Sequence, residues 1–127
     1  MRLHESGEDY LEAILILKSK MGAVRGVDIA QYLGVSKPSV SHALSMLCEG
    51  GFLIKDQNHY IYLTEKGLSI AEKIYERHRF FKEQLVAAGV ELQQAEKEAC
   101  RLEHGISDES FRKLKKLQEK DVSRMIK

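Results

Sequence analysis

The chain has 127 residues, of which 43% are hydrophobic and 31% charged, with a formal net charge of +1 at pH 7. This composition is that of a globular protein and excludes the disordered and fibrous classes, while the length suits one domain or two small ones. Because positive and negative charges nearly cancel, a nucleic-acid-binding function would require local clustering of basic residues.

The sequence has no feature of a membrane or secreted protein. No apolar run approaches the roughly 20 residues that cross a bilayer, and residues 1–6 lack the long apolar segment of a signal peptide. Two cysteines, Cys48 and Cys100, do not make a disulfide framework and suit a reducing compartment. We therefore expect a cytoplasmic protein with no membrane partner.

An amphipathic helix is predicted over residues 8–20, because apolar side chains recur there at helical spacing. Asp9 and Glu12 are three positions apart and lie together off the edge of the apolar stripe. Taken alone, two acidic residues in a first helical turn are explained by their favourable interaction with the helix dipole.

The clearest local pattern is a helix-turn-helix. A short helical pattern over residues 26–33 breaks at Gly34, and a second helix is predicted over about residues 37–49. Ser36 suits the cap position of this second helix, and Pro38 suits its opening turn. Two short helices joined by a tight glycine-containing turn predict a helix-turn-helix.

The outward face of the second helix carries small polar side chains, which fit a major groove and can bond phosphates or base edges. These residues are Pro38, Ser39, Ser41, His42 and Ser45. The alternative is a simple pair of helices whose polar face meets only water.

Two short β-rich runs, residues 52–55 and 60–63, flank a polar loop and predict a β-hairpin. A hairpin directly after a recognition-type helix is the wing of a winged helix-turn-helix. Arg25, Lys37 and Lys55 form a local basic cluster that the total charge conceals. Lys55 and His59, near the tip of the hairpin, are expected to contact the DNA backbone. The cluster is modest, so tight binding is expected to need two copies of the domain.

The C-terminal half is predicted to be all helical. Thr64 suits the cap of a long helix that runs to about residue 88 and carries His78, and Ser107 suits the cap of a last helix over about residues 108–120. A lone histidine among charged neighbours is usually a surface residue. Four apolar residues exceed what so thin a layer needs and indicate a subunit interface: Leu92, Leu102, Phe111 and Leu114.

Cys100, Glu103 and His104 lie in a helix predicted over about residues 92–104, with Gly105 just past its end. At 3.6 residues per turn the three fall within an arc of roughly 100°. Thiolate, carboxylate and imidazole are ligands for divalent transition metals, and one helix supplies only part of a coordination shell. The alternative is a free buried cysteine beside a surface Glu–His pair.

Together, the order and spacing of these motifs resemble the diphtheria toxin repressor family of metal-dependent bacterial transcription repressors. The matching motifs are Asp9-Tyr10-Leu11-Glu12, the winged helix-turn-helix of residues 27–63, Arg77-His78-Arg79, Glu98-Ala99-Cys100-Arg101-Leu102-Glu103-His104, and Ser107-Asp108-Glu109. The resemblance covers essentially the whole chain. It implies a mainly α protein with a DNA-binding domain over residues 1–63 and an all-helical metal-binding and dimerisation domain over residues 64–127.

By position, the resemblance gives a metal-ligand role to six residues: Asp9, Glu12, His78, Cys100, Glu103 and His104. It implies that the metal binds between the two domains and ties the first helix to the core of a homodimer. The two recognition helices would then meet successive half-sites of a palindromic operator. Coupling of this kind needs only about 1–3 kcal/mol between the sites.

The ligand set mixes two branches of the family. The manganese-responsive branch typically has the acidic Asp9 and Glu12 but a carboxylate in place of Cys100, whereas the iron-responsive branch has the Cys-Glu-His triplet but a methionine in place of Asp9. Lys82 and Glu96 occupy positions that carry Glu and His in the additional metal site of the iron branch. The chain ends without the third, SH3-like domain of the iron branch, so its size matches the manganese branch. The resemblance therefore implies Mn²⁺ or Fe²⁺ as corepressor, with Co²⁺ or Zn²⁺ as surrogates.

The predicted function is repression of metal-uptake genes, without catalysis and without a small organic substrate. One alternative is a winged-helix regulator in which Cys100 is a redox sensor. Another is a hydrolytic enzyme that uses the Cys/His/Glu group, but the sequence offers no candidate oxyanion hole or substrate loop.

Overall fold

A computed structural model of the chain describes Leu3 and residues 5–126, with side chains described up to Asp121. The described residues form six helices and two short strands, which confirms the predicted mainly α class. In chain order the elements are α1 (Glu5–Met21), α2 (Gly26–Leu33), α3 (Lys37–Glu49), β1 (Leu53–Lys55), β2 (Ile61–Leu63), α4 (Glu65–Ala87), α5 (Leu92–Leu102) and α6 (Asp108–Ile126). None of the described helices is both long and apolar enough to cross a bilayer.

The chain divides into two compact units, Met1–Tyr75 and Glu76–Lys127, so the boundary falls inside α4. The first unit contains the three N-terminal helices and the hairpin, and the second contains α5 and α6. The functional division predicted at residue 63 stays a prediction.

The helix-turn-helix of the first unit forms as the sequence predicts. Gly34 ends α2 with a left-handed φ of 68° and donates its N–H to the carbonyl of Ala30, a conformation that favours glycine. The Ser36 hydroxyl then accepts the backbone N–H of Ser39 at 3.2 Å and caps α3, with Pro38 in the first turn. These local interactions set where α3 begins.

The core of the first unit holds α1 and α3 together. Fourteen buried residues form one cluster that includes Leu11 and Ile14 of α1, Ile29 of α2, and Val40 and Leu44 of α3. Because close-packed interiors transmit displacements, a shift of α1 would also move α3.

The wing is a two-stranded antiparallel hairpin in which Leu53 pairs with Leu63 and Lys55 with Ile61. Its turn is organised by Asp56, whose carboxylate accepts hydrogen bonds from the backbone N–H groups of Asn58 and Tyr60 and from the Tyr62 hydroxyl. Slight burial raises the pKa of Asp56, but these hydrogen bonds outweigh it and hold that pKa below its usual value.

The join between wing and α4 depends on a glycine. Thr64 caps α4, since its hydroxyl accepts the backbone N–H of Gly67 at 3.2 Å and donates to the Gly51 carbonyl at 2.7 Å. A Cβ at Gly67 would lie only 1.9 Å from the carbonyl oxygen of Phe52. The close approach of the hairpin backbone therefore requires glycine at this position.

The second unit has an aromatic core. The rings of Phe80 and Phe111 meet edge-on with centroids 5.3 Å apart, and Phe81 lies 5.3 Å from Phe80 in the same arrangement. Phe111 is buried, so including it in a subunit interface was wrong: it belongs to the core of its own unit. Among the side chains described up to Asp121, four other large apolar ones of α5 and α6 are exposed: Leu92, Leu102, Leu114 and Leu117.

Candidate metal centre and nucleic-acid interface

The segment that carries the predicted ligands is partly helix and partly turn. Helix α5 ends at Leu102, two residues before the predicted end, and Glu103 is its C-cap residue with φ −62° and ψ −25°. Its N–H still donates to the Ala99 carbonyl at 3.0 Å, so Glu103 continues the direction of the helix. His104 lies in the turn beyond.

Arg77 of α4 holds this turn. Its buried guanidinium donates to the carbonyl oxygens of Ile106 at 2.7 Å and Glu103 at 3.3 Å, and forms an ion pair with Asp108. The last carbonyl groups of a helix have no N–H partner from a following turn. Here the Arg77 guanidinium supplies donors to the carbonyl groups at the end of the segment, so the chain can turn at this point.

His78, Cys100 and Glu103 come together in the second unit. Nδ1 of His78 lies 2.9 Å from Oε2 of Glu103 and 3.7 Å from Sγ of Cys100. One ligand atom from each residue lies within 4.8 Å of the other two. Helix α4 contributes the imidazole, while α5 and its cap contribute the thiol and the carboxylate.

The burial of these groups differs from the alternative drawn from the sequence. Glu103 is completely buried and His78 largely so, whereas Cys100 is exposed. Cys100 is therefore not a cysteine sequestered in the core, and Glu103 is not a surface residue. The cluster therefore combines a buried carboxylate with a thiol that is accessible from solvent.

The buried Glu103 carboxylate is only partly satisfied by its neighbours. In the part of the chain that the structure describes, Oε1 of Glu103 is buried and accepts no hydrogen bond, although Nε2 of His104 lies 3.3 Å from it. Cys100 and Glu103 raise the pKa of His78 to about 11, against the opposing effect of burial and with a smaller contribution from Glu96. Without another cation, the proton on His78 partly balances the buried carboxylate.

This donor set fits a divalent transition metal. It combines a soft thiolate, an imidazole and a hard carboxylate oxygen, and the unsatisfied Oε1 of Glu103 is the kind of buried polar atom that a ligand interaction would stabilise. Both His78 and Cys100 must lose a proton to act as ligands. Three donors make only part of a shell.

Glu96 and Lys82 lie beside His78, whereas the family resemblance placed them only in the incomplete additional site of the iron branch. Oε2 of Glu96 lies 2.8 Å from Nε2 of His78, and Oε1 lies 3.2 Å from the Lys82 ammonium. Burial raises the pKa of Glu96, but the interactions with His78 and Lys82 outweigh it and lower that pKa. Spacing in the sequence also indicates that both residues lie near the cluster: Glu96 precedes Cys100 by four residues, and Lys82 follows His78 by four.

Asp9 and Glu12 lie one turn apart on α1 in the first unit. Asp9 is half-buried and Glu12 is buried. The ligand role predicted for them stays a prediction, as does that of His104.

The predicted DNA-contacting side chains all lie at the surface of the first unit. Val40, Leu44 and Leu47 are buried on the inner face of α3, and the outward-facing residues are exposed. The exposed set is Arg25, Lys37, Pro38, Ser39, Ser41, His42, Ser45 and Lys55. The structure thus provides an exposed polar face on α3, together with three exposed basic side chains, Arg25, Lys37 and Lys55, in the same unit.

Aromatic rings of the wing position two basic side chains. The Arg25 guanidinium lies 4.3 Å from the centre of the Tyr60 ring, and the Lys18 ammonium lies 3.8 Å from that of Tyr62. Lys18 was not included in the basic cluster derived from the sequence, because α2, α3 and β1 separate it from Tyr62 along the chain.

Two family models match the chain and cover most of it. The model for "Iron dependent repressor, N-terminal DNA binding domain" matches residues 2–59, and that for "Iron dependent repressor, metal binding and dimerisation domain" matches residues 64–120. Both halves of the sequence thus match halves of one kind of regulator, in the same order.

Individual relatives agree with the family models. A helix-turn-helix-type transcriptional regulator of Methanocaldococcus jannaschii is 35% identical over 120 residues, which are 93% of this chain and 96% of that protein. The transcriptional regulator MntR of Salmonella typhimurium is 35% identical over 82% of this chain and 66% of its own length. The manganese regulator SloR superposes with a TM-score of 0.80 at 29% identity, over 94% of this chain and 55% of its own. The chain thus spans about two thirds of MntR and about half of SloR.

Proposed function

The chain belongs to the iron-dependent repressor family of metal-dependent transcriptional regulators, and on this basis we propose that it represses metal-uptake genes with Mn²⁺ or Fe²⁺ as corepressor. The family predicted from the sequence is thereby confirmed. The observation that supports the metal dependence most directly is the grouping of His78, Cys100 and Glu103 in one unit.

We propose that His78, Cys100 and Glu103 hold the ion, with Asp9, Glu12 and His104 as further ligands on the strength of the family resemblance. A bound divalent ion would supply the positive charge that the buried Glu103 carboxylate needs. His78 would bind through Nδ1, the nitrogen that faces both other donors. Cys100 would bind as the thiolate from the accessible side of the cluster.

The proposed link to DNA binding runs through α1. Because α1 and α3 share one packed core, ligation of Asp9 and Glu12 would fix the recognition helix as well as the helix that carries them. In a homodimer this sets the spacing of two α3 helices, as binding to a palindromic operator requires. The exposed residues Ser41 and His42 would then face base edges or phosphates.

The proposed dimer would bury the exposed apolar side chains of the second unit. Leu92 and Leu102 of α5 and Leu117 of α6 are 58%, 44% and 57% exposed. Several large apolar side chains exposed on two neighbouring helices in the chain are typical of a subunit interface. A repressor of this kind would act in the cytoplasm, where thiols stay reduced.

The proposed metals are those that suit a mixed donor set. Carboxylate oxygens favour Mn²⁺, whereas the Cys100 thiolate moves preference toward Fe²⁺, Co²⁺ and Zn²⁺. MntR and SloR, which the chain resembles, are a transcriptional regulator and a manganese regulator. Neither the family models nor these relatives favour the alternative in which Cys100 is a redox sensor.

The proposal is tested by operator binding at controlled free metal concentration. An operator is selected from random DNA by the full chain in the presence of Mn²⁺, and affinity is measured anaerobically with reduced thiols. We expect Mn²⁺ or Fe²⁺ to raise the affinity by about 5- to 150-fold. Cys100→Ser should weaken this response, whereas Cys48→Ser, which changes the other exposed cysteine, should retain it. Equal affinity of the parent chain with metal and with a chelator would contradict the proposal.

A further inference from the structure

We propose that Glu96 is a positioning residue for His78: it accepts the Nε2–H of the imidazole and so leaves Nδ1 as the nitrogen that binds metal, while Lys82 holds Glu96 in place. The inference rests on the proposed metal-binding function, because His78 is a ligand in that proposal. It adds two residues that have a role in the site without binding the ion.

The two nitrogens of His78 have different surroundings. Nδ1 points toward Glu103 at 2.9 Å and Cys100 at 3.7 Å, while Nε2, on the opposite edge of the ring, lies 2.8 Å from Oε2 of Glu96. An imidazole that binds a metal through one nitrogen keeps its proton on the other. A carboxylate that accepts this proton fixes the ring orientation and makes the imidazole a stronger ligand.

Glu96 is itself held in position. Its second oxygen, Oε1, lies 3.2 Å from the ammonium of Lys82, one turn beyond His78 on α4. The Glu96 side chain is 45% exposed and that of Lys82 33% exposed. A half-exposed carboxylate would otherwise sample several rotamers, so Lys82 selects the one that reaches Nε2.

The geometry separates this role from that of a ligand. Glu96 meets His78 on the ring edge that faces away from Cys100 and Glu103, and each of its oxygens already has a cationic or N–H partner. While bonded to Nε2, its carboxylate cannot reach an ion at Nδ1. Glu96 therefore acts through His78.

Substitutions at position 96 should change metal affinity in a graded way. Loss of a carboxylate that orients a ligating histidine typically costs about 10- to 100-fold in metal affinity, and we expect this range for Glu96→Leu. Glu96→Gln should lose less, because its side-chain oxygen still accepts a hydrogen bond from Nε2. Lys82→Met should have the smallest effect, since it removes only the group that holds Glu96.

Glu98→Leu is the matched control. It is the same change on the same helix, two residues further on, and Glu98 accepts a hydrogen bond from Gln94 at 3.1 Å instead of contacting His78. Its metal affinity should equal that of the parent.

The experiment combines anaerobic Co²⁺ titration of the full chain, followed by the thiolate-to-cobalt absorption band, with NMR detection of the His78 ring protons. We expect a slowly exchanging Nε2 proton in both the metal-free and the Zn²⁺-loaded parent, lost in Glu96→Leu and present in Glu96→Gln. A parent that binds Co²⁺ with its thiolate, together with a Glu96→Leu variant of equal affinity, would overturn the positioning role alone. A proton on Nδ1 in the Zn²⁺-loaded parent would overturn it as well. A parent that shows no thiolate–cobalt band would contradict the metal site itself, and the inference with it.

Discussion

Oε2 of the completely buried Glu103 lies 2.9 Å from Nδ1 of His78. The pair joins the cap of α5 to the middle of α4, and its carboxylate is the most deeply buried acidic group of the site. In the metal-free chain a proton on His78 partly balances this charge, and a divalent ion bound at Nδ1 would replace that proton. The pH dependence of both stability and metal binding follows from this exchange.

The metal-free protein should lose stability as the pH rises above neutrality. The pKa of His78 is 6.5 ordinarily and about 11 in the folded chain, so its contribution to the free energy of unfolding is fully present below pH 6.5 and is lost as the pH approaches 11. The melting temperature of the chelator-treated chain should therefore fall over this range. In Glu103→Gln the fall should be shallower, because a partner of the imidazolium is removed. The control is Glu109→Gln, which changes an exposed carboxylate paired with Lys113 and should keep the parent's dependence of melting temperature on pH. If Glu103→Gln also keeps that dependence, the His78–Glu103 pair is not its cause.

Substitutions on the outer face of α3 should reduce sequence discrimination. Ser41→Ala and His42→Ala remove exposed polar groups, and each should cost about 1–3 kcal/mol on the operator with little change on random DNA. Lys55→Gln should instead weaken both complexes and lower the salt slope by about one unit. Ser39→Ala would also affect the start of α3, since Ser39 contacts the Ser36 cap, so its effect on DNA binding is harder to assign. Fluorescence anisotropy at several salt concentrations checks these effects, and full operator affinity in Ser41→Ala and His42→Ala would remove α3 from the groove.

A charge placed on the exposed apolar face of the second unit should break the dimer. Leu102→Glu and Leu117→Glu each introduce a carboxylate at a side chain that the proposed interface buries, and should weaken dimerisation by about 30-fold or more, as expected for interface residues worth about 2 kcal/mol. Lys113→Glu places the same side chain at an exposed residue of α6 and should leave the dimer intact. Sedimentation equilibrium at micromolar concentration measures the effect, and a parent chain that sediments as a monomer with and without metal would contradict the interface.

Gly67→Ala should destabilise the first unit more than an ordinary glycine substitution. The added Cβ would clash with the Phe52 carbonyl oxygen at 1.9 Å, and overpacking against backbone costs about 3 kcal/mol. Gly26→Ala is the control, because its Cβ would meet Leu44 and Val40 at ordinary distances of 3.5 and 3.6 Å. Chemical denaturation of both variants checks the difference, and equal stabilities would show that the wing moves away from α4 without cost.

Cys100 should influence which metal activates the protein. Cys100→Glu replaces the thiolate with a carboxylate, and should shift metal-activated operator binding toward Mn²⁺ relative to Fe²⁺ and Co²⁺. Asp9→Met should act in the opposite direction, because a thioether replaces a hard oxygen. Operator affinity is measured anaerobically against the free concentration of each ion. If neither variant changes the relative order of Mn²⁺ and Fe²⁺, ligand softness does not set the selectivity.

The sequence was most informative where local chemistry determines the structure. Gly34, Ser36 and Pro38 define the ends of α2 and α3 through capping and backbone preference, and the predicted bounds of both helices are those observed. The grouping of Cys100 with Glu103 follows in the same way from the geometry of one helical segment.

The contacts that sequence reasoning missed are long-range. Arg77 determines where α5 ends by binding carbonyl groups 26 and 29 residues further along the chain, and no local pattern encodes such a distance. Likewise, Phe111 lies on a helix rich in charged residues, and the sequence does not show that it is buried. Its burial results from packing against Phe80 and Phe81 of α4. Glu96 lies one helical turn before Cys100, but its carboxylate contacts His78 on the other helix.

The central claim, that His78, Cys100 and Glu103 hold a divalent ion, is tested most directly by anomalous scattering from crystals of the reduced protein grown with Mn²⁺ or Fe²⁺. Data collected on both sides of the metal absorption edge identify the ion and place it in the map. We predict an anomalous peak within bonding distance of Nδ1 of His78, Sγ of Cys100 and a carboxylate oxygen of Glu103. A fully loaded crystal whose anomalous peaks all lie away from these three atoms would contradict the claim.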